Sequence, residues 1–152
     1  MGAAEIAMVT GESPSGTVCA LVPTYNRAAY LGDCLRSLLA QTRPPDQIIV
    51  INDGSTDRTD EVVRAFGPGI QLLHKENGGK ASALNLGLQH CRADYVWICD
   101  DDDIAAPDGL AFLRHALDTH PDAALAFGEY MTFPDGHPDR RTPVTSCIPR
   151  SA

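Results

Sequence analysis

The sequence has 152 residues, of which 43% are hydrophobic, and its formal net charge is −8. This length suits one domain, and the apolar fraction is enough for a packed core rather than a disordered chain. An acidic chain of this kind is a poor electrostatic partner for nucleic acid, so we expect no nucleic-acid binding.

Short apolar runs alternate with stretches of helical period along the first half of the chain. Apolar runs bounded by Pro or Gly favour buried strands, and apolar residues three or four apart favour helices packed on one side. The predicted elements are a flexible leader at 1–16, a strand at 17–22 stopped by Pro23, a helix with the apolar face Leu31, Cys34, Leu35 and Leu38, a strand at 47–51, and a helix that begins near Asp57 with Asp60 and Glu61 in its first turn.

The second half continues this alternation and ends without a clear period. Its predicted elements are a strand at 70–73, a helix with the face Ala81, Leu84, Leu88 and Cys91, a strand at 95–99, a helix with Pro107 in its first turn, a strand at 123–127 and a hairpin turn at 134–136. The pattern predicts an α/β fold, a mainly parallel open sheet with helices on both faces. We place this domain at 17–136 and regard 137–152 as an irregular tail, compatible with a truncation point.

Two further features concern the cellular setting. The five cysteines are an odd number without CxxC spacing, which indicates reduced thiols in a cytoplasmic protein. No apolar run approaches the roughly 20 residues that span a bilayer, and the N-terminus lacks a signal peptide. We therefore expect a cytoplasmic chain without a membrane segment, in the cytosol or at the inner face of the membrane.

Polar residues gather where each of the first four predicted strands ends, at 23–26, 52–55, 77–80 and 100–103. In open α/β sheets, ligands bind beyond the carboxyl ends of the strands. If the strands are parallel, these four clusters meet at one edge of the sheet and build a single site.

The run Asp100-Asp101-Asp102-Asp103 needs an explanation, because adjacent like charges resist joint ionisation. Bulk water or a bound cation offsets that repulsion. Residues two apart on an extended chain point the same way, so Asp100 and Asp102 can approach one cation, and carboxylate oxygens suit Mg²⁺ or Mn²⁺. The simpler alternative is a solvated acidic loop that caps the helix after Pro107.

Four segments together resemble family 2 glycosyltransferases in order and spacing: Val22-Pro23-Thr24-Tyr25-Asn26-Arg27, Ile51 to Asp57, Asn77 to Asn85, and Asp100 to Asp108. The resemblance covers about 17–136. It implies a GT-A fold of the nucleotide-diphospho-sugar transferase type, and we expect this chain to lack most of the acceptor half of that fold. It also implies a nucleotide-sugar donor, a divalent cation (Mn²⁺ or Mg²⁺) and inversion at the anomeric carbon.

The resemblance also assigns roles near the metal and the diphosphate. Asp102 would be the direct metal ligand, which stabilises charge on the departing nucleoside diphosphate. Asp100, with Asp101 beside it, would face the ribose or a metal-bound water. Gly79 opens a helix whose backbone N–H groups suit phosphate oxygens, and Lys80 adds a positive charge. A plain glycine turn with a surface lysine is the alternative for the last two residues.

The nucleobase would lie near the first two predicted strands. Asp53 matches the carboxylate that accepts a hydrogen bond from a uracil-type N–H, although an Asp-Gly turn explains the same residues. Pro23, Thr24 and Tyr25 match the loop that lines the base pocket. A tyrosine ring can stack on a base, and a buried core tyrosine is the alternative.

The catalytic base is unassigned by the sequence. Inverting transfer requires a base for the acceptor hydroxyl, and the downstream carboxylates Glu129, Asp135 and Asp139 offer no reason to choose among them. The expected partners are a UDP-, GDP- or TDP-sugar and a carbohydrate or lipid-linked acceptor. Two alternative functions stay open: a truncated, non-catalytic nucleotide-sugar-binding module, and a Mg²⁺-binding receiver-like domain, which would need paired acids after its first strand.

Overall fold

The computed structural model describes residues 16–128, 131–132, 134 and 142–143. Two compact units divide the chain, the first ending at Phe112 and the second beginning at Leu113. The first unit contains β1 (Val18–Thr24), α1 (Ala28–Leu39), β2 (Gln47–Asn52), α2 (Thr59–Ala65), β3 (Ile70–His74), α3 (Lys80–His90) and β4 (Tyr95–Ile98). Helix α4 (Gly109–Thr119) crosses the boundary, and β5 (Met131–Thr132) and β6 (Thr142–Pro143) belong to the second unit.

The four strands of the first unit form one parallel sheet in the order β3-β2-β1-β4. Thr24 lies opposite Asn52, and Asn52 lies opposite His74, so β1, β2 and β3 end level with one another. The last pair between β1 and β4 is Leu21 with Ile98, so β4 ends before β1 reaches its own carboxyl end at Thr24. The strand order changes direction between β1 and β4, which is where open α/β sheets bind ligands.

Helices cover both faces of this sheet, as the sequence predicted. One face carries α1 and α2, whose buried side chains pack on alternate residues of the central strands such as Val22 and Val50. The predicted face of α1 is confirmed, because Leu31, Cys34, Leu35 and Leu38 are all buried. On the other face α3 packs against Leu21, Ile49 and Ile51. Each fully buried aliphatic side chain contributes about 1.5–3 kcal/mol to folding.

Strand β1 does not stop at Pro23, contrary to the sequence prediction; it continues to Thr24, and Pro23 pairs with Ile51. The ladder between β1 and β4 has already ended at Leu21. At Pro23 the strand therefore has a neighbour on one side only, and an edge position tolerates the missing N–H of proline.

The predicted apolar face of α3 is only partly correct: Leu84 and Cys91 pack against the core on this face of the sheet, although both are only partly buried. The buried residues are Ala83 and Gly87, whereas Ala81 is exposed and Leu88 is 49% exposed. A Cβ atom added at Gly87 would lie 2.9 Å from Ile51 Cδ1. Helix α3 approaches the sheet closely through its smallest residues, which a search for large apolar residues at helical spacing overlooks.

The second unit departs from the predicted strand at 123–127, because these residues form no strand. Three of the five are alanine, a weak strand former, and Leu125 and Phe127 are exposed. Helix α4 begins at Gly109, two residues after Pro107 rather than around it. Strands β5 and β6 pair antiparallel on either side of the predicted hairpin turn, whose residues 135 and 136 lie outside the described residues.

At the amino end of the sheet, two carboxylates brace the start of β1. Asp94 accepts hydrogen bonds from the backbone N–H and the hydroxyl of Thr17, at 2.8 and 2.9 Å. Asp46 accepts from the backbone N–H of Val18 at 2.8 Å. These contacts fix the end of the sheet that lies opposite the polar loops.

The described cysteines are free thiols, three of them buried and Cys91 partly buried. Burial, followed by the charge of Asp101, raises the pKa of Cys34 to about 12. Cys34 is therefore a packing residue and a poor nucleophile. Within the described part of the chain, no helix is both long and apolar enough to cross a membrane.

Candidate functional site at the carboxyl edge of the sheet

Four loops that are distant in sequence meet at the carboxyl edge of the parallel sheet. They follow β1 at 25–27, β2 at 53–58, β3 at 75–79 and β4 at 99–108. Hydrogen bonds and ion pairs join each of these loops to at least one other. The convergence that the sequence led us to expect is therefore present, and its geometry follows from the level ends of β1, β2 and β3.

Asp53 is the most enclosed carboxylate of this edge, with only 3% of its surface exposed. It accepts hydrogen bonds from Lys75 Nζ at 2.5 Å, from Gly78 N at 3.0 Å and from Gly79 N at 2.7 Å. It thus ties the loop after β2 to the loop after β3. The N–H groups of Gly78 and Gly79, expected from the sequence to be bare and available to phosphate, donate to Asp53 instead.

The ionised form of Asp53 is stabilised by these partners. Burial by itself raises the pKa of Asp53, but hydrogen bonds from Lys75, Gly78 and Gly79 outweigh it and hold the pKa below its ordinary value. Sequence reasoning assigned no role to Lys75. The one available signal was its position, a cation placed directly after β3 and before the glycine pair.

Two carboxylates of the acidic run, Asp100 and Asp102, each form an ion pair with a basic side chain. Lys80, the first residue of α3, forms an ion pair with Asp100. Arg27, at the end of the loop after β1, pairs through Nη1 with Asp102 Oδ2 at 2.6 Å. Asp100 and Asp102 are both about half exposed, at 45% and 44% of their side-chain surface. The run is therefore neither a purely solvated loop nor a cap for α4, which begins only at Gly109.

Asp101 lies in a different environment from its neighbours in the acidic run. It is buried, with 8% of its surface exposed. Burial is the main cause that raises the pKa of Asp101, and the nearby Asp102 and Asp100 add to it. The run thus has a partly exposed carboxylate at Asp100, a buried one at Asp101 and exposed ones at Asp102 and Asp103. Its backbone forms a turn, closed by the hydrogen bond from Asp103 N to Asp100 O at 3.1 Å, and not the extended chain from which the sequence prediction placed Asp100 and Asp102 on one side.

The segment after the acidic run is anchored on α1 and on the loop that follows it. Ala105 N donates to Ser37 Oγ at 3.0 Å, and Gln41 Nε2 donates to Ala106 O at 2.6 Å. Thr42 N donates to Pro107 O at 2.7 Å. These contacts fix the position of the loop after β4 relative to α1.

The first two loops are locked together by short polar side chains. Asn26 has a left-handed backbone with φ of 54°, and its Oδ1 accepts from Thr56 N at 2.8 Å. Its own N–H donates to Ser55 Oγ at 2.9 Å. Asp57 accepts from Ala28 N at 2.9 Å and from Thr59 N at 3.0 Å, so one carboxylate accepts the first N–H of both α1 and α2. Arg27 therefore stands on a backbone that is fixed on both sides.

A second polar cluster supports the loop after β2. Asn52 Nδ2 donates to Asp60 Oδ1 at 2.8 Å, while Asn52 Oδ1 accepts from Ser55 N at 2.7 Å. The ring of His74 contacts the same Asp60 carboxylate at 2.8 Å. Burial raises the pKa of Asp60, but hydrogen bonds from Asn52 and His74 lower it overall. Sequence reasoning read Asp60 only as a helix-dipole residue and missed this cluster.

The three residues expected to line a base pocket lie in different environments. Pro23 and Thr24 are the last residues of β1 and are buried. Tyr25, the next residue, is 48% exposed and is not a core tyrosine. Its ring is thus accessible at the edge where Asp53 also lies.

Taken together, a parallel sheet that reverses its strand order between β1 and β4, with polar loops at that point, defines an α/β domain of the nucleotide-binding class. The chain belongs to the family 2 glycosyltransferases: the model of that family, described as "Glycosyl transferase family 2", matches residues 19–147. The resemblance stated from the four sequence segments is confirmed.

Named relatives agree with this assignment. The chain is 34% identical over 123 residues to glycosyltransferase GlyG of Streptococcus pneumoniae serotype 4, covering 78% of this chain and 40% of GlyG. It is 43% identical over 96 residues to an uncharacterized glycosyltransferase of Rickettsia prowazekii, covering 63% of this chain and 30% of that protein. The chain therefore spans less than half the length of either relative.

Solved structures show the same fold. The mannosyltransferase PcManGT from Pyrobaculum calidifontis, in complex with GDP-Man and Mn²⁺, superposes with a TM-score of 0.64 at 33% identity, over 70% of this chain and 34% of that one. TarS 1-349 from S. aureus, in complex with UDP, gives a TM-score of 0.62 at 26% identity, over 69% of this chain and 33% of that one. The GT-A fold predicted from the sequence is confirmed.

Proposed function

We propose that this chain is the donor-binding part of a metal-dependent, inverting glycosyltransferase, which moves a sugar from a nucleoside diphosphate to an acceptor hydroxyl. The observation that carries the proposal is the pair of ion pairs at the switch point of the sheet, Arg27 with Asp102 and Lys80 with Asp100. They place two half-exposed carboxylates and two cations together, which is the charge pattern that a diphosphate with its cation requires.

The donor set fits a hard divalent cation that is completed by its ligand. Among residues 16–128 and the few described beyond them, no three His, Cys, Asp or Glu side chains lie close enough to hold a metal by themselves. Asp102, with Asp100 beside it, offers exposed carboxylate oxygens, the type that Mn²⁺ and Mg²⁺ prefer. Diphosphate oxygens would supply the other ligands, and the bound cation would stabilise charge on the departing nucleoside diphosphate.

The remaining site residues form two groups: those that would contact the donor, and those that would shape or support its pocket. Tyr25 offers an exposed ring on which a base can stack, and Lys80 offers a cation to the diphosphate. Pro23, Thr24 and the buried Asp101 would shape the pocket from below. Gly79 and Asp53 would support the site, because the hydrogen bond from Gly79 N to Asp53 holds the turn that begins α3.

The bound nucleotide is proposed to be UDP, GDP or TDP, since TarS binds UDP and PcManGT binds GDP-Man. The acceptor would be a carbohydrate or lipid-linked hydroxyl. Its base would be a carboxylate, and the downstream candidates Glu129, Asp135 and Asp139 lie outside the described residues.

The sequence left two alternative functions open, a receiver-like domain and a non-catalytic binding module. A receiver-like domain is excluded by topology, because that fold places its third strand beside the first, whereas β3 here pairs with β2 and β1 is flanked by β2 and β4. A non-catalytic nucleotide-sugar-binding module stays open as the other alternative. Donor hydrolysis and sugar transfer distinguish that module from an enzyme.

The test is thermal unfolding with UDP, GDP and TDP, each with and without Mn²⁺. A ligand at 100 times its Kd stabilises the native state by about 2.7 kcal/mol, which raises Tm by about 5–10 °C in a chain of this size. We expect a rise with at least one nucleotide that requires Mn²⁺ and disappears in Asp102→Asn. Asp118→Asn, a carboxylate paired with Arg114 on α4, is the matched control. No shift with any of the three nucleotides would refute donor binding.

A further inference from the structure

Both carboxylates that we assign to the metal already have a cationic partner. Arg27 holds Asp102, and Lys80 holds Asp100. The four side chains are about half exposed, with 47% for Arg27 and 54% for Lys80. Ion pairs this accessible to water are weak, so another ligand can replace either member.

A divalent cation on Asp102 competes with the Arg27 guanidinium for that carboxylate, since Nη1 lies 2.6 Å from Asp102 Oδ2 and two cations at one carboxylate repel each other. The backbone on either side of Arg27 is fixed by Ser55 and Asp57, so only its side chain is free to respond. A guanidinium displaced from a carboxylate presents a planar set of donors that matches phosphate oxygens.

We propose that Arg27, to which the sequence assigned no role, is a diphosphate-binding residue whose resting partner is Asp102. Binding of a divalent cation displaces the guanidinium from Asp102, and the nucleoside diphosphate then takes it up. Metal and nucleotide therefore favour each other's binding through this exchange, in addition to their direct contact. This inference rests on the proposed function, because it requires metal and diphosphate to share this edge of the sheet.

The exchange predicts effects of opposite sign in one variant. Arg27→Gln removes the competitor, so Mn²⁺ alone should bind more tightly, by about two- to fivefold for an exposed pair. The same variant lacks the phosphate ligand, so UDP or GDP in the presence of saturating Mn²⁺ should bind about tenfold more weakly. A residue with only a structural role would weaken both.

The experiment measures free Mn²⁺ by electron paramagnetic resonance without nucleotide, and nucleotide affinity by calorimetry with Mn²⁺ present. Arg36→Gln is the matched control, because Arg36 forms a comparably exposed ion pair with Asp33 on α1, and neither affinity should change. Arg27→Lys keeps the charge but loses the planar donors, so it should restore wild-type Mn²⁺ affinity and only part of the nucleotide affinity. It also serves as the test variant if Arg27→Gln does not fold.

The outcomes separate the two proposals. Failure of wild-type protein to bind UDP, GDP or TDP with Mn²⁺ refutes the proposed function. Intact nucleotide binding by wild type, with Mn²⁺ affinity in Arg27→Gln equal to or weaker than that of wild type or undetectable in both, overturns the exchange alone. An unchanged nucleotide affinity in Arg27→Gln overturns it as well.

Discussion

Replacing Asp53 by Asn tests the central contact of the site. The carboxylate is almost fully enclosed and accepts from Lys75, Gly78 and Gly79. The amide oxygen of Asn keeps some acceptor capacity, but the charge is lost and the Lys75 ammonium, only 19% exposed, loses its counter-charge. Breaking a buried pair costs about 3–5 kcal/mol, and partial exposure of Lys75 places this case near 3 kcal/mol.

The stability that Asp53→Asn loses should depend on pH, and the direction of that dependence follows from the pKa of Asp53. The folded state holds the pKa of Asp53 below its ordinary value of 3.8, so folding favours the ionised form. The stabilisation is fully present above the unfolded-state pKa and is lost as pH falls through the lower, folded-state value. The gap between wild type and Asp53→Asn should therefore be constant near neutrality and should shrink below about pH 4.

Urea unfolding followed by the fluorescence of Trp97, the single tryptophan, measures this gap at each pH. At pH 7 we expect a loss of about 3 kcal/mol, or a decrease in Tm of about 6–12 °C. Glu61→Gln is the control, because Glu61 and Arg58 form an ion pair that is 62% and 82% exposed, so its loss should cost under about 0.5 kcal/mol. Equal losses in the two variants, or a gap that persists undiminished to pH 2, would refute the reasoning.

Two further predictions concern the scaffold of the site. Gly87→Ala should lower the free energy of unfolding by about 1 kcal/mol, because the added Cβ would lie 2.9 Å from Ile51 Cδ1. Gly32→Ala is the matched control, because the nearest atom to its added Cβ is 3.5 Å away. This variant should raise the free energy of unfolding by about 0.5–1 kcal/mol. Urea midpoints that move in the same direction would contradict this packing of α3. Asp57→Ala should cost about 1–2 kcal/mol because both α1 and α2 lose an acceptor for their first N–H, and circular dichroism on heating measures it. A cost no greater than that of Asp33→Ala would argue against the double role.

Much of the fold was predictable because its signals are local. The spacing of Leu31, Cys34, Leu35 and Leu38 identified the buried face of α1 correctly, and the strand runs identified all four strands of the parallel sheet. Where the physical cause is tertiary, the prediction failed. Pro23 is accommodated because β4 has already ended beside it, and Gly87 is buried because α3 lies close to the sheet.

The same division applies to the site. Asp53 and the acidic run could be placed at one edge of the sheet because each follows a strand end, and parallel pairing brings such ends together. The ion pairs of Lys75 with Asp53 and of Arg27 with Asp102 were not predicted, since a contact between residues 22 or 75 positions apart leaves no trace in local spacing. The occupied N–H groups of Gly78 and Gly79 were equally invisible, because their partner lies on another loop.

The braces at the amino end of the sheet bear on how freely the loops at the opposite end can be exchanged. Asp46 and Asp94 fasten β1 there through backbone N–H groups, independently of every contact around Asp53 and Asp102. Segments from other glycosyltransferases grafted onto the loops after β1 to β4 would leave that fastening intact. Chimeras with exchanged loops should therefore keep the sheet register of this chain.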